Sequence, residues 1–140
     1  MVRVSPFFTF SGQCAQAMKL YEKAFGAEIT FKARFSEASS KDFKLKGEAT
    51  KDYIYHAQMK IGENLIMLCD DSDGTLGTGT ESRGSELSLC VEFETPDEVK
   101  AAYEIMREGA VIIVPIASAS YSKSYVYLED KFGIRWWIMC

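Results

Sequence analysis

The side chains in this chain that could do chemistry are few, and their spacing groups them. His56 is the only histidine. An imidazole is the one side chain whose ordinary pKa places proton transfer near neutrality. It stands in "YIYHAQMKIG" (53–62), two residues before Gln58. Alternation on a strand puts His56, Gln58 and Lys60 on one face and Tyr55, Ala57 and Met59 on the other. At an offset of 71, Gly62 falls on Gly133, His56 on Tyr127 and Gln58 on Glu129. Glu92, in "ELSLCVEF" (86–93), joins Glu129 as a carboxylate able to orient the histidine or act as an acid–base group. His56, Glu92 and Glu129 are therefore the catalytic candidates, with metal-independent acid–base work as the chemistry. The same residues have a plainer reading, a half-exposed strand histidine bonded to a neighbour and two surface glutamates. A metal cage of His56, Gln58, Glu92 and Glu129 is a further alternative.

Sulfur and indole are the other distinctive groups. Cys14, Cys69, Cys90 and Cys140 are scattered without a CxxC pair, which suits free thiols rather than a disulfide scaffold or zinc knuckle. The stretch "DKFGIRWWIMC" (130–140) sets Trp136 beside Trp137. Neighbours on a strand face opposite ways, so one indole enters a core and the other faces elsewhere.

The elements that position these groups are readable from periodicity. "VSPFFTF" (4–10) suits a strand. From Ser11 to Phe25 the apolar residues follow helical spacing, with Ser11 placed to cap the start and Gly26 at the stop. "AEITFKARF" (27–35) alternates like a strand, and 53–69 reads as a hairpin turning at Gly62. The polar stretch 36–52 reads as an excursion, either a solvated loop, a flap over a cleft or a dimer contact. Residues 70–85, glycines, hydroxyls and acids, read as a linker. The order then repeats: strand 86–93; helix 95–109 with Thr95 as N-cap and Pro96 at its first position; strand 110–116; loop "ASASYSKS" (117–124); and a hairpin turning at Gly133. At an offset of 83, Phe10 falls on Phe93 and Gly26 on Gly109. Each half reads β-α-β-β-β.

This layout, with "FTFSGQCAQAMKLYEKAFGAEI" at the front and "DKFGIRWWI" at the end, resembles the vicinal oxygen chelate superfamily. That group takes in glyoxalase I, extradiol dioxygenases and bleomycin-resistance proteins; more narrowly the chain is similar to its PhnB-like branch. The resemblance implies an α+β fold in one domain, 1–140: two βαβββ modules (1–69 and 86–140, linker 70–85) forming a half-open curved mixed β-sheet around a cleft, helices on the outer faces. It also implies a divalent metal in the family's enzymes, held by His, Glu or Gln from the first and last strands of each module. Carried over, those positions are Ser5, Met67, Ser88 and Trp137. None is a good ligand for a hard or borderline ion. A slip of one residue gives Pro6, Ile66, Leu89 and Trp136, which are worse. No metal and no cofactor is the expectation. Nor is there a Gly-rich strand-to-helix turn to hold the nucleotide cofactor of a methyltransferase, the activity attached to some PhnB-like labels.

On this reading Trp137 faces the cleft and Trp136 packs behind it against a helix. Phe8, Phe10, Leu89, Val91 and Phe93 back onto the helices. Phe7, Thr9, Gln58, Met67, Cys69, Ser88, Cys90, Tyr125, Tyr127 and Trp137 are the ligand-binding candidates, an aromatic and sulfur-rich wall with a few polar groups. The expected function is binding of a small aromatic or amphipathic molecule; the alternatives are the His56 acid–base enzyme and a metal-dependent lyase, isomerase or dioxygenase. Whether the chain is an enzyme stays open. The net charge of −4, with no basic cluster, argues against nucleic acid and anionic membranes. No apolar run approaches a membrane span, and the N-terminal stretch does not read as a signal peptide, so a cytoplasmic protein is expected. Open sheet edges and the habit of the family imply a homodimer.

Overall fold

The computed structural model describes residues 2–38, 51–71 and 87–140. They form eight strands and two helices in the expected order, β-α-β-β-β twice, and the fold is α+β. The chain divides into two compact units, Met1–Glu22 with Gly26–Glu81, and Lys23–Phe25 with Ser82–Cys140.

The first unit is an open four-stranded sheet of β1 (Phe7–Phe10), β4 (Asn64–Asp70), β3 (Ile54–Ile61) and β2 (Glu28–Arg34), in that spatial order. β1 runs parallel to β4; the other pairs are antiparallel. Alternation sorts its faces. Phe8, Phe10, Ala57, Met59, Ile66 and Leu68 are buried, and Ile54, set apart from His56 by a register shift, is buried out of step with them. Helix α1 (Cys14–Phe25) buries Cys14, Ala17, Met18 and Tyr21, and the Tyr21 ring meets Phe8 edge-on at 6.3 Å. Gly26 ends α1 in the left-handed conformation, its N–H bonded to Glu22 and that of Ala27 to Tyr21, the ordinary glycine stop.

The start of α1 corrects the expectation. Ser11 caps nothing; the helix begins at Cys14, and its N-cap Gln13 makes no side-chain cap. The cap comes from Asp70, at the end of β4, whose Oδ1 accepts from the N–H groups of Gly12 at 2.9 Å and Cys14 at 3.0 Å. Its Oδ2 accepts from Ile54 N–H at 2.8 Å. Asp70 is buried, the last residue of a core strand and not the first of a linker. An acid among acids and glycines looks like linker, but three donors converge on this one. Gly12 is held at φ 95, and a Cβ there would lie 2.6 Å from the Tyr53 ring, so that position takes no other residue without strain.

The second unit repeats the sheet with β5 (Leu89–Glu92), β8 (Arg135–Met139), β7 (Ser122–Glu129) and β6 (Val111–Ala119). β5 runs parallel to β8. Helix α2 (Pro96–Met106) starts as expected: Thr95 Oγ1 accepts from Glu98 N–H, Glu98 returns a bond to Thr95 N–H, and Pro96 follows. The stretch 117–124 is not a loop. β6 runs on to Ala119 and β7 begins at Ser122, leaving a tight turn at Ser120 and Tyr121. Small polar residues read as loop, yet Ser122 and Ser124 are buried and the Ser122 hydroxyl bonds the carbonyls of Ser124 and Cys140.

The bulk of the 36–52 excursion and the 70–85 linker, residues 39–50 and 72–85, lies outside the described residues, as does residue 86. Among the described residues, no helix is long and apolar enough to cross a membrane.

Candidate functional site

The predicted site residues fall on the open faces of the two sheets, opposite the helices. In the first unit that face carries Phe7 and Thr9 on β1, Met67 and Cys69 on β4, and His56 and Gln58 on β3, none of them buried. Phe7 stands across from Met67, Thr9 from Cys69, and Gln58 from Met67. The His56 ring lies between two phenyl rings, 5.8 Å from Phe7 and 6.0 Å from Phe31. Its Nε2 is 3.3 Å from the Gln58 side-chain amide. Phe31, half-exposed on β2, is not among the sequence candidates; a bulge in the β2–β3 register brings it beside His56, and no strict alternation predicts a bulge. The Cys69 thiol donates to Thr9 Oγ1 at 3.8 Å, and burial pushes it above the ordinary thiol range despite that bond.

In the second unit the open face carries Cys90 and Glu92 on β5, Arg135, Trp137 and Met139 on β8, and Tyr125, Tyr127 and Glu129 on β7, with Ser88 just before β5. Trp136 and Trp137 do face opposite ways. Trp136 is fully buried, its ring 4.7 Å from Phe25 of α1 and its Nε1–H donated to Asp130 Oδ2 at 3.0 Å. Trp137 is half-buried and stacks on Tyr127, ring centres 4.3 Å apart and planes 7° from parallel. Tyr125 lies 6.2 Å from Trp137, and Tyr121 stacks on Tyr125 at 5.9 Å. The aromatic row thus runs from the indole to the β6–β7 turn. There it borders an open groove of about 360 Å³ lined by Tyr121, Lys123, Glu94 and Cys140. Cys90 is exposed, yet burial of its sulfur first and Glu92 second raise its thiol above the ordinary value.

The catalytic candidates are not all brought together. Glu92 stands opposite Met139 and Glu129 opposite Arg135, at the two ends of β8. Four residues of strand, about 13 Å, separate those levels. Glu129 instead pairs with Arg135, Oε1 accepting from Nε–H at 3.3 Å. Arg135 is not among the candidates above, although its place two residues before Trp137 sets it on the same face by alternation. Hydrogen bonding to Tyr127, outweighing burial, raises its pKa further, with Glu129 adding to the effect.

The family's metal positions do not suit a metal here. Met67 offers a thioether, Trp137 an N–H donor with no lone pair, and Ser5 and Ser88 neutral hydroxyls. Among the described residues, no three His, Cys, Asp or Glu side chains cluster to hold an ion.

Comparison with known proteins bears on the whole chain. Residues 3–138 match the model of the Glyoxalase/Bleomycin resistance protein/Dioxygenase superfamily. Protein YjdN of Escherichia coli (strain K12) is 25% identical, over 96% of this chain and 92% of its own length. Among solved structures, the PhnB protein from Bacillus cereus superposes with a TM-score of 0.78 at 22% identity, covering 99% of this chain and 98% of that one. Protein PA1353 from Pseudomonas aeruginosa gives 0.79 at 21% identity, covering 100% and 98%. At these identities the structural likeness establishes the fold and not the activity.

Proposed function

Because the chain belongs to the glyoxalase/bleomycin resistance protein/dioxygenase superfamily, whose shared fold serves many chemistries, we propose that it binds a small planar aromatic or amphipathic molecule on its aromatic sheet face. The observation that carries this reading is the Trp137–Tyr127 pair, stacked at 4.3 Å on the side of the sheet away from the helices. Large rings are normally buried in a core; here one tryptophan of two lies on the open face, with Tyr125 beside it and Tyr121 stacked on Tyr125 in turn. The donor chemistry at the family's metal positions favours binding, or metal-independent work, over Lewis-acid catalysis. Titration with neutral naphthyl compounds is expected to quench tryptophan emission saturably, with the response lost in Trp137→Leu. A panel of planar compounds that produces neither an emission change nor heat in calorimetry refutes the reading.

A second reading rests on His56. Its ring is bracketed by Phe7 and Phe31 and touches Gln58, an apolar slot with one polar anchor. That setting supports a general base acting without a metal. If it holds, His56→Ala abolishes turnover while ligand affinity stays; unchanged turnover in that variant removes the role. The proposal extends to a cytoplasmic homodimer, supported by four unbridged thiols and by apolar residues along the edge strands β2 and β6.

A further inference from the structure

We propose that the molecule held on the second unit's open face is an aromatic carboxylate, its ring laid on Trp137 and its acid group on the Arg135 guanidinium. This rests on the binding reading above and adds the ligand's charge. The two residues are two apart on β8, so they project from one face about 6.6 Å from each other. Tyr127 covers one face of the indole. β8 has β5 on its other side, and the residue level with Trp137 there is Cys90, short and exposed. The second face of the indole therefore looks over a small neighbour, which leaves room for a flat ring.

Arg135 is suited to the acid group. Its side chain is 27% exposed and already turned toward this face, Nε–H going to Glu129 Oε1 at 3.3 Å. A guanidinium has five donors in a planar fork that matches a carboxylate. The Glu129 contact is single and long, so donors remain for a ligand. Holding the fork in place beforehand lowers the entropy cost of binding. Glu129 weakens the attraction by partly neutralising Arg135 but does not occupy the whole fork. The spacing selects acids whose carboxyl carbon stands a few ångströms beyond the ring, such as arylacetates, ahead of simple unsubstituted rings. Lys123 is the rival cation, on the same face of β7 toward the hairpin tip, but it is exposed on a flexible stem.

The test compares naphthylacetate with neutral naphthylethanol, by calorimetry, on the full chain. The acid is expected to bind about tenfold tighter, since a hydrogen bond to a charged group contributes about 1.5 kcal/mol or more. In Arg135→Gln that preference falls to near parity; in Arg135→Lys, which keeps the charge but not the fork, part of it returns. Circular dichroism verifies that each variant is folded. Equal affinity for acid and alcohol in the wild type overturns the carboxylate inference and leaves ring binding standing. A preference that survives Arg135→Gln, or disappears in Lys123→Gln, overturns the assignment to Arg135. If neither compound, nor any other planar ring, binds the wild type, both this inference and the binding reading fall.

Discussion

Two adjacent tryptophans have opposite employment. Trp136 is fully buried against Phe25 and donates its Nε1–H to Asp130, alongside Phe132 N–H and Ile134 N–H. Trp136→Ala removes a large volume and one donor to a buried carboxyl. It is expected to cost about 3–5 kcal/mol in urea unfolding. Trp137→Ala empties a place on the open face and is expected to cost less than about 1 kcal/mol. Similar losses for the two would contradict the assignment of faces. The thiols show the same contrast between buried and accessible places. Burial raises Cys14 far above the ordinary range, with Asp70 adding to it, so this cysteine is core material and a poor nucleophile.

Among the elements, the join between α1 and its sheet depends on Asp70. One carboxyl satisfies two amides at the helix start and the first amide of β3. Burial pushes its pKa up, and the three amides pull against that. Asp70→Ala would orphan three donors at once. The expected loss is about 3 kcal/mol or more, read as a shift in the urea midpoint. Asp70→Asn keeps one acceptor oxygen and should fall between that variant and the wild type. Ser11→Ala, at the position that looked like the cap, is expected to stay within about 0.5 kcal/mol. A larger effect from Ser11 than from Asp70 would restore the local cap. Range separates the two helix starts. A side chain bonding to its own next turn is visible in the sequence, as with Thr95 and Glu98. A carboxyl reaching 58 residues back to Gly12 is not.

For the whole molecule, the unpaired edges matter most. β2 and β6 each have one strand neighbour and expose Ile29, Phe31, Val111, Ile113 and Ile116. Exposed edges of this kind invite pairing unless they are covered. A homodimer would cover them, and light scattering coupled to size exclusion is expected to give twice the chain mass. A monomer that persists at high micromolar concentration would contradict the proposal.

Alternation and helical periodicity by themselves determined the order of elements, the repeated β-α-β-β-β plan, the buried faces of β1, β3 and β4, and the opposed tryptophans. These are short-range consequences of side-chain direction along a strand or a helix. Three features were decided only by the tertiary structure: the bulge that sets Phe31 beside His56, the offset of about 13 Å along β8 between the levels of Glu92 and Glu129, and the Arg135–Glu129 pair. The first two depend on the register between strands distant in sequence, and the third on the register that the β7–β8 turn sets within its hairpin. Between distant strands register comes from how whole sheets pack, and a period of two residues carries no record of which residue of one strand meets which of the next.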